Sequence, residues 1–302
     1  MSSLFKQIYR YTHRRKLRHN ENFWPHIKIS RNEAGHIQRL SYRGEEVKVE
    51  DLNNLRSATS GDFTILATGP SIKTLNLHDL SRTSVIGVNG AYHLRDKIKF
   101  AYFVIVDRDF IDKKFDVVEE IIDDSELLFF TTLHCLNDIL KRVGGLKIKC
   151  KLAIIEDLSY KIFCDIVQPN EYASRYNKTK GISLFNTDPP SGFSWDIRVG
   201  IFDAATVVYW ALQLSVWLGA GRILLAGVDM NNFGSPRFYE NEENKQPSQL
   251  EMNFNKVIQP AFYHASLELK RKKIKVYNLS LKSGLGEDIF EKATLDVIFK
   301  KV

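Results

Sequence analysis

The sequence predicts an α/β fold: a single, doubly wound, mostly parallel sheet flanked by helices. Three observations carry this. First, short apolar runs recur at 64–68, 84–88, 100–107, 127–132, 152–155, 222–228 and 275–279. They are nearly continuous rather than alternating, as expected for strands covered on both faces. Second, amphipathic helical stretches separate the runs, the order that builds parallel sheets. Third, the 302 residues are 44% hydrophobic and 26% charged, enough apolar material for a substantial core.

The first twenty residues carry Lys6, Arg10, Arg14, Arg15, Lys16 and Arg18 and no acid. On a helix, Leu4, Phe5, Ile8 and Tyr11 share a face flanked by these cations. That pattern suits an anionic membrane surface, and equally a basic tail docked on the domain. Residues 27–50 read as short strands with turns at Ala34-Gly35 and Arg43-Gly44. We therefore expect a small N-terminal extension over 1–60 and the main domain over 61–302. Between 230 and 250 the sequence is polar and rich in turn formers, which predicts a lid or binding loop.

Lys plus Arg exceed Asp plus Glu by 43 to 36, a net +7, which suits anionic partners. Three widely spaced cysteines (Cys135, Cys150, Cys164) imply neither a disulfide framework nor a zinc site. No apolar segment follows the basic N-terminus as in a signal peptide. The most apolar stretch, 204–220, is short and interrupted by Gln213 and Ser215. The expected location is the cytoplasm.

Sites in such sheets lie at the carboxyl ends of the strands. The first run ends in Thr68-Gly69-Pro70-Ser71. Gly69 permits close approach of a ligand, Pro70 stiffens the turn, and Ser71 can cap the next helix, leaving N–H groups for an anion. A plain strand-to-helix turn has the same signature. Asn89 follows the second run, and its amide can both donate and accept; it is also a common turn residue. Asp107-Arg108-Asp109 follows the third. It resembles the metal-binding D-x-D of some glycosyltransferases, but Asp107 reads better as a direct cleft contact. Gly227 and Asp229 end the sixth run, with Arg237 and Tyr239 in the loop beyond. A buried helix is predicted over 203–219, capped by Asp203, with Thr206 in its first turn facing the cleft and Trp210 and Trp217 in the core. A second is predicted over 250–273, broken at Pro260, with His264 after the break.

The order T-G-P-S, V-N-G, apolar helix, L-L-A-G-V-D resembles that of bacterial sialyltransferases that use CMP-sialic acid. Residues 192–239 resemble more closely the Kdo transferase family of lipopolysaccharide core biosynthesis (WaaZ, also called RfaZ). The matching features are G-F-x-x-D-I at 192–197, Thr206, Gln213, A-x-R-I at 220–223, G-x-D at 227–229 and R-F-Y at 237–239. The likeness spans roughly 63–280.

The resemblance implies a Rossmann-like, sialyltransferase-like GT-A variant and a CMP-sugar donor. It places Gly69, Pro70 and Ser71 by the donor phosphate and Asn89, with Thr68, Asp107, Thr206 and Gly227, around the nucleotide. The family's T-S-G motif is represented here by Thr206 alone, followed by Val207 and Val208. The resemblance further implies transfer of Kdo from CMP-Kdo to the inner core of a lipopolysaccharide precursor on the cytoplasmic face of the inner membrane. His264 or Asp229 would act as general base, Arg198 and Arg237 would bind the donor carboxylate, and Tyr239 would touch substrate. Inversion is expected, with neither metal nor other cofactor, because a single phosphate can be stabilised by N–H groups and hydroxyls. Nucleic acid is not an expected partner. Three alternatives stay open: another CMP-nonulosonic acid as donor, an ATP-dependent enzyme similar to pterin pyrophosphokinases, and a non-catalytic module that binds core oligosaccharide.

Overall fold

The computed structural model of the chain describes residues 3–56 and 61–299. The expected boundary between extension and main domain falls in 57–60, outside the described residues.

The strands are β1 (Ile27–Arg31), β2 (Ile37–Tyr42), β3 (Glu45–Val47), β4 (Gly61–Leu66), β5 (Ser84–Val88), β6 (Tyr102–Ile105), β7 (Leu128–Thr131), β8 (Lys151–Ile154), β9 (Ile182–Phe185), β10 (Ser191–Ser194), β11 (Ala220–Ala226), β12 (Lys275–Asn278) and β13 (Glu291–Lys292). The helices are α1 (Ser3–Thr12), α2 (Leu77–Leu80), α3 (Arg108–Lys113), α4 (Phe115–Asp123), α5 (Leu133–Val143), α6 (Tyr172–Tyr176), α7 (Val207–Trp217), α8 (Leu250–Asn253), α9 (Gln259–Arg271) and α10 (Leu295–Phe299).

Eight strands form one parallel sheet in the order β13-β12-β11-β4-β5-β6-β7-β8. All seven apolar runs lie in it. Alternate residues of each strand feed two cores. Phe63, Ile65, Ile86, Val88, Val104 and Phe130 pack with α7 and α9 on one face. Leu66, Val85, Phe103, Ile105, Phe129 and Leu224 pack with α3, α4 and α5 on the other. This two-sided burial is why the runs are continuous rather than alternating.

The chain winds outward from β4 to β8, then returns to β4's other side as β11. The reversal between β4 and β11 is a topological switch point, where the loops leaving neighbouring strands diverge and open a crevice.

β1, β2 and β3 form an antiparallel sheet with turns at the two expected places. Its Ile27, Leu40, Tyr42 and Val47 enter the same core as α5. Arg31 clamps it to the end of β8 by a bidentate pair with the buried Glu156, at 2.6 and 2.7 Å. The β9–β10 hairpin beside α9 and the short edge strand β13 carry no apolar run, and the pattern does not reveal them.

The predicted helix over 203–219 begins later. Thr206, not Asp203, is its N-cap, and Ala205 takes a left-handed φ of +56° before it. The predicted helix over 250–273 is interrupted by a π-turn at Phe254–Ile258, after which Pro260 sits in the first turn of α9. Proline is tolerated there because its missing N–H would have no helical partner. In α1, Phe5 does not join the exposed face. Its ring meets Trp24 and His26 edge-on, and Tyr9 is buried, while Leu4, Ile8 and Tyr11 remain exposed.

Candidate active site

A cavity of about 460 Å³ opens at the switch point, within the usual size of a small-ligand site. Its walls are the loops after β4, β5, β6 and β11, the first turn of α7, and residues 229–250. Thr68, Gly69, Pro70, Asn89, Asp107, Thr206, Asp229, Arg237 and Tyr239 all border it. Of the residues expected there, Ser71, Gly227, Arg198 and His264 do not.

The turn after β4 explains the first two exceptions. Gly69 N donates to Gly227 O at 2.9 Å, and Ser71 N donates to Asp229 Oδ2 at 2.9 Å. The Ser71 hydroxyl also donates to Asp229 Oδ1 and lies 2.7 Å from Ser280 Oγ. The Asp229 carboxylate thus occupies the anion position that the turn was expected to offer a phosphate. A side chain on Gly69 would meet this carboxylate and come within 2.6 Å of Gly227 O, so only glycine fits. Gly227 lies beneath, against Ile72. Asp229 therefore has a structural task, tying β11 to the turn after β4.

Arg198 is held outside the cavity. It pairs with both oxygens of Asp196, at 2.8 and 2.6 Å, and donates to Asn53 Oδ1 at 2.7 Å. Its guanidinium is held by these partners and cannot serve a donor carboxylate in the cleft. His264 sits in a separate hollow of α9 and the β9–β10 hairpin, with its ring 5.3 Å from that of Phe185. It does not border the cavity at the switch point, where the expected base would act.

Asn89 ends β5 with a left-handed φ of +46°. Its Oδ1 is buried at the cleft and has no hydrogen-bond partner. An acceptor in that state costs about 1–3 kcal/mol unless a ligand supplies a donor. Asp107 borders the cleft but also caps α3, accepting from Asp109 N at 2.9 Å and Phe110 N at 3.4 Å. Among the described residues no cluster of three His, Cys, Asp or Glu is arranged to hold a metal.

The middle of the loop of residues 229–250 is fastened to the cleft wall at Phe238 and Tyr239. Phe238 N donates to Thr68 O at 3.1 Å, and the Tyr239 ring fills the place a side chain on Gly90 would take. Tyr239 also faces His93, with ring centroids 4.7 Å apart. Burial pushes its hydroxyl up to about 12, so it stays protonated and serves as a donor near neutrality. Arg237 pairs with the buried Glu240 at 2.7 Å.

Sequence reasoning missed three features. Lys113 and Lys114 border the cleft, and neither has an ion-pair partner among the described residues. Their position in the mouth follows only from the turn of the chain between α3 and α4. Asp203 also lines the cleft, with Trp210 Nε1 donating to it at 2.8 Å. Finally, Asn89, Ala205, Met230 and Asn232 have left-handed backbones and all border the cavity. Such conformations cost of order 1–3 kcal/mol each and gather at functional sites.

Gln213, fully buried in α7, holds this wall together. Its Oε1 accepts from Ser194 N and Phe202 N, at 2.9 and 3.1 Å. Its Nε2 donates to Phe202 O and Tyr209 O, at 2.8 and 3.1 Å.

The fold and the site define an α/β protein with a polar ligand cleft at the carboxyl edge of a parallel sheet. Residues 146–294 match the family described as 3-deoxy-D-manno-octulosonic acid transferase WaaZ. The matched segment is just under half of the chain. It is also similar to a probable 3-deoxy-manno-octulosonic acid transferase of Salmonella typhimurium LT2, 23% identical over 79% of this chain and 88% of that protein. Among solved structures it is similar to the sialyltransferase CstII of Campylobacter jejuni in complex with cytidine-5'-monophosphate (TM-score 0.41, 14% identity, 79% of this chain and 87% of that one). It is similar as well to CST-II in complex with a trisaccharide acceptor and CMP (TM-score 0.40, 16% identity, 78% and 87%). These overlaps are too loose to assign residue roles.

Proposed function

We propose that the cleft transfers Kdo from CMP-Kdo to a hydroxyl of a lipopolysaccharide inner-core acceptor, by direct displacement with inversion and without a metal. The family match over residues 146–294 and the likeness to a probable 3-deoxy-manno-octulosonic acid transferase support the sugar. The observation that carries the nucleotide is the unpartnered Asn89 Oδ1, which awaits a donor such as an amino group or a ribose hydroxyl. The charge development at one phosphate is small enough to be met by the protein. The first turn of α7 borders the cleft at Thr206, Val207 and Val208, and its N-terminal end favours an anion. Lys113, Lys114 and the outer face of Arg237 add cations for the phosphate and the donor carboxylate. The turn at 69–71 is then a wall beside the phosphate, not its cradle. The loop of residues 229–250 covers the donor and excludes water, limiting hydrolysis.

Calorimetric titration with CMP, with ATP plus Mg²⁺, and with CMP plus a chelator tests this. CMP is expected to bind, undiminished by chelation, and Asn89→Ala to bind it about tenfold more weakly, the loss of one buried hydrogen bond. Binding of ATP plus Mg²⁺ alone would point instead to a kinase-like activity. Unchanged CMP affinity in Asn89→Ala removes that residue from the site.

The same reading includes docking on an anionic membrane through α1. Leu4, Ile8 and Tyr11 are 59%, 36% and 90% exposed, and α1 and the turn that follows it carry Lys6, Arg15 and Arg18. Among the described residues no helix is long and apolar enough to cross a membrane. Sedimentation with vesicles containing anionic lipid is expected to fall roughly tenfold in the Leu4→Asp/Ile8→Asp double variant, and to fall with salt in the wild type. Equal sedimentation of both proteins would exclude this surface.

A further inference from the structure

With His264 outside the cavity and Asp229 tied to Ser71, the cleft holds another carboxylate at its wall. Asp203 lies between the hairpin segment and α7, where Gln213 fixes the backbone of Phe202 before it. Its side chain borders the cavity and is exposed to it. Beside it is a second carboxylate. Beyond the end of β8 the chain pairs in parallel with the segment leading to Asp203. Asp157 is bridged to Ile201, Leu158 N donates to Ile201 O at 3.0 Å, and Ile201 N donates to Glu156 O at 2.8 Å. Asp157 and Asp203 thus end adjacent strands and repel each other. Around them stand Phe202, Tyr172, Trp210 and Tyr176, which are largely apolar and buried. The ionisable groups facing the pair are Tyr172 and Tyr176, both protonated at neutral pH. Among the described residues no cation is paired with either carboxylate.

Resting on the functional reading above, we propose that Asp203 is the general base of the transfer and that Asp157 is the positioning residue that makes it basic. The acceptor O–H bond breaks and its proton passes to the Asp203 carboxylate. The acceptor oxygen bonds to the anomeric carbon, and the bond from that carbon to the phosphate oxygen breaks. CMP departs with the electron pair. Burial raises the proton affinity of Asp203, against the hydrogen bonds from Trp210 and from the backbone of Ala205 and Ala204, in the direction a base acting near neutrality requires. Asp157 is affected in the same direction, to about 7, by burial and then by Asp203.

The test uses the full chain, CMP-Kdo and purified lipid A bearing two Kdo residues. Asp203→Asn is expected to lower transfer at least about 100-fold, the usual contribution of a general base, with CMP affinity within about twofold of wild type. Asp157→Asn is expected to bring the ascending limb of the rate–pH profile to lower pH, with a smaller loss of rate. A merely structural Asp157 would leave the profile in place. Transfer by Asp203→Asn within about threefold of wild type overturns the proposal. No transfer and no CMP binding by the wild type overturns the functional reading, and the base role with it.

A measurement without substrate keeps the pair itself testable. A carboxyl whose pKa is raised by folding makes its stabilising contribution below its unfolded value and loses it as pH rises through the folded value. The melting temperature of Asp157→Asn relative to wild type should therefore increase between about pH 4 and pH 7 and then level off. A difference independent of pH shows that folding does not raise Asp157, and overturns the proposal.

Discussion

Gln213→Leu is expected to lose about 4 kcal/mol or more of stability, enough to prevent folding at 37 °C if the protein is marginally stable. The substitution is close to isosteric and keeps the side chain apolar where it is fully buried. It removes one acceptor of two backbone N–H groups and one donor to two backbone carbonyls. None of these can turn to water, because Ser194, Phe202 and Tyr209 are themselves buried. An orphaned buried group costs about 1–3 kcal/mol, so even partial relaxation leaves a large deficit. Gln213→Glu separates hydrogen bonding from shape. Protonated, it keeps an acceptor and one O–H donor, so it should be intermediate at low pH; it should be worse at high pH, when the carboxylate is charged and has no donor. Urea unfolding of the three proteins measures the order. Equal stability of wild type and Gln213→Leu would mean that the hairpin and the 202–203 segment are held by other contacts.

Asp229→Ala is expected to have the second largest effect, about 3 kcal/mol of stability. By the size dependence of melting, that is roughly 5 °C. The carboxylate accepts from Ser71 N and the Ser71 hydroxyl and touches the space beside Gly69. Without it the turn after β4 loses its anchor to β11, and the cleft wall with it. Asp229→Asn retains one acceptor oxygen for Ser71 N and should recover about half of the loss. The ratio of activity to folded fraction distinguishes this from a chemical role. A structural Asp229 loses activity in step with folding and Asn restores both. A base would leave Asp229→Asn folded but inactive.

Much of the fold was legible because burial on two faces writes itself into sequence as continuous apolar runs. Ile65, Val88 and Phe130 each sit in such a run, and each is a sheet residue. The β9–β10 hairpin was not legible because Ser183, Ser191 and Ser194 interrupt it and its burial comes from α9, far along the chain. The cleft was legible at Thr68, Asn89 and Tyr239, which follow strand ends or a loop signal. The two carboxylates were not: Asp157 and Asp203 are brought together only by the pairing of the segment beyond β8 with Ile201. His264 and Arg198 show the complementary error. Each has the right chemistry for a role in the cleft, but a ring contact with Phe185 and an ion pair with Asp196 hold them elsewhere.

The place of β4 in the sheet has a consequence for synthesis of the chain. Its partner on one side is β5, about twenty residues later, and on the other β11, with Ile65 opposite Leu225. As the chain leaves the ribosome, β4 to β8 can assemble early, but the β4 edge stays open until β11 emerges. During that interval the nascent protein presents an unpaired apolar strand, the kind of edge that recruits other chains. For most of that interval it also lacks α7, whose residues pack in one core with Phe63, Ile65 and Val88. Distant pairing of this sort slows folding and lengthens exposure. The central strand of the finished sheet is therefore the vulnerable edge of the unfinished one, and a chain stopped before residue 220 should aggregate rather than persist as a half-domain.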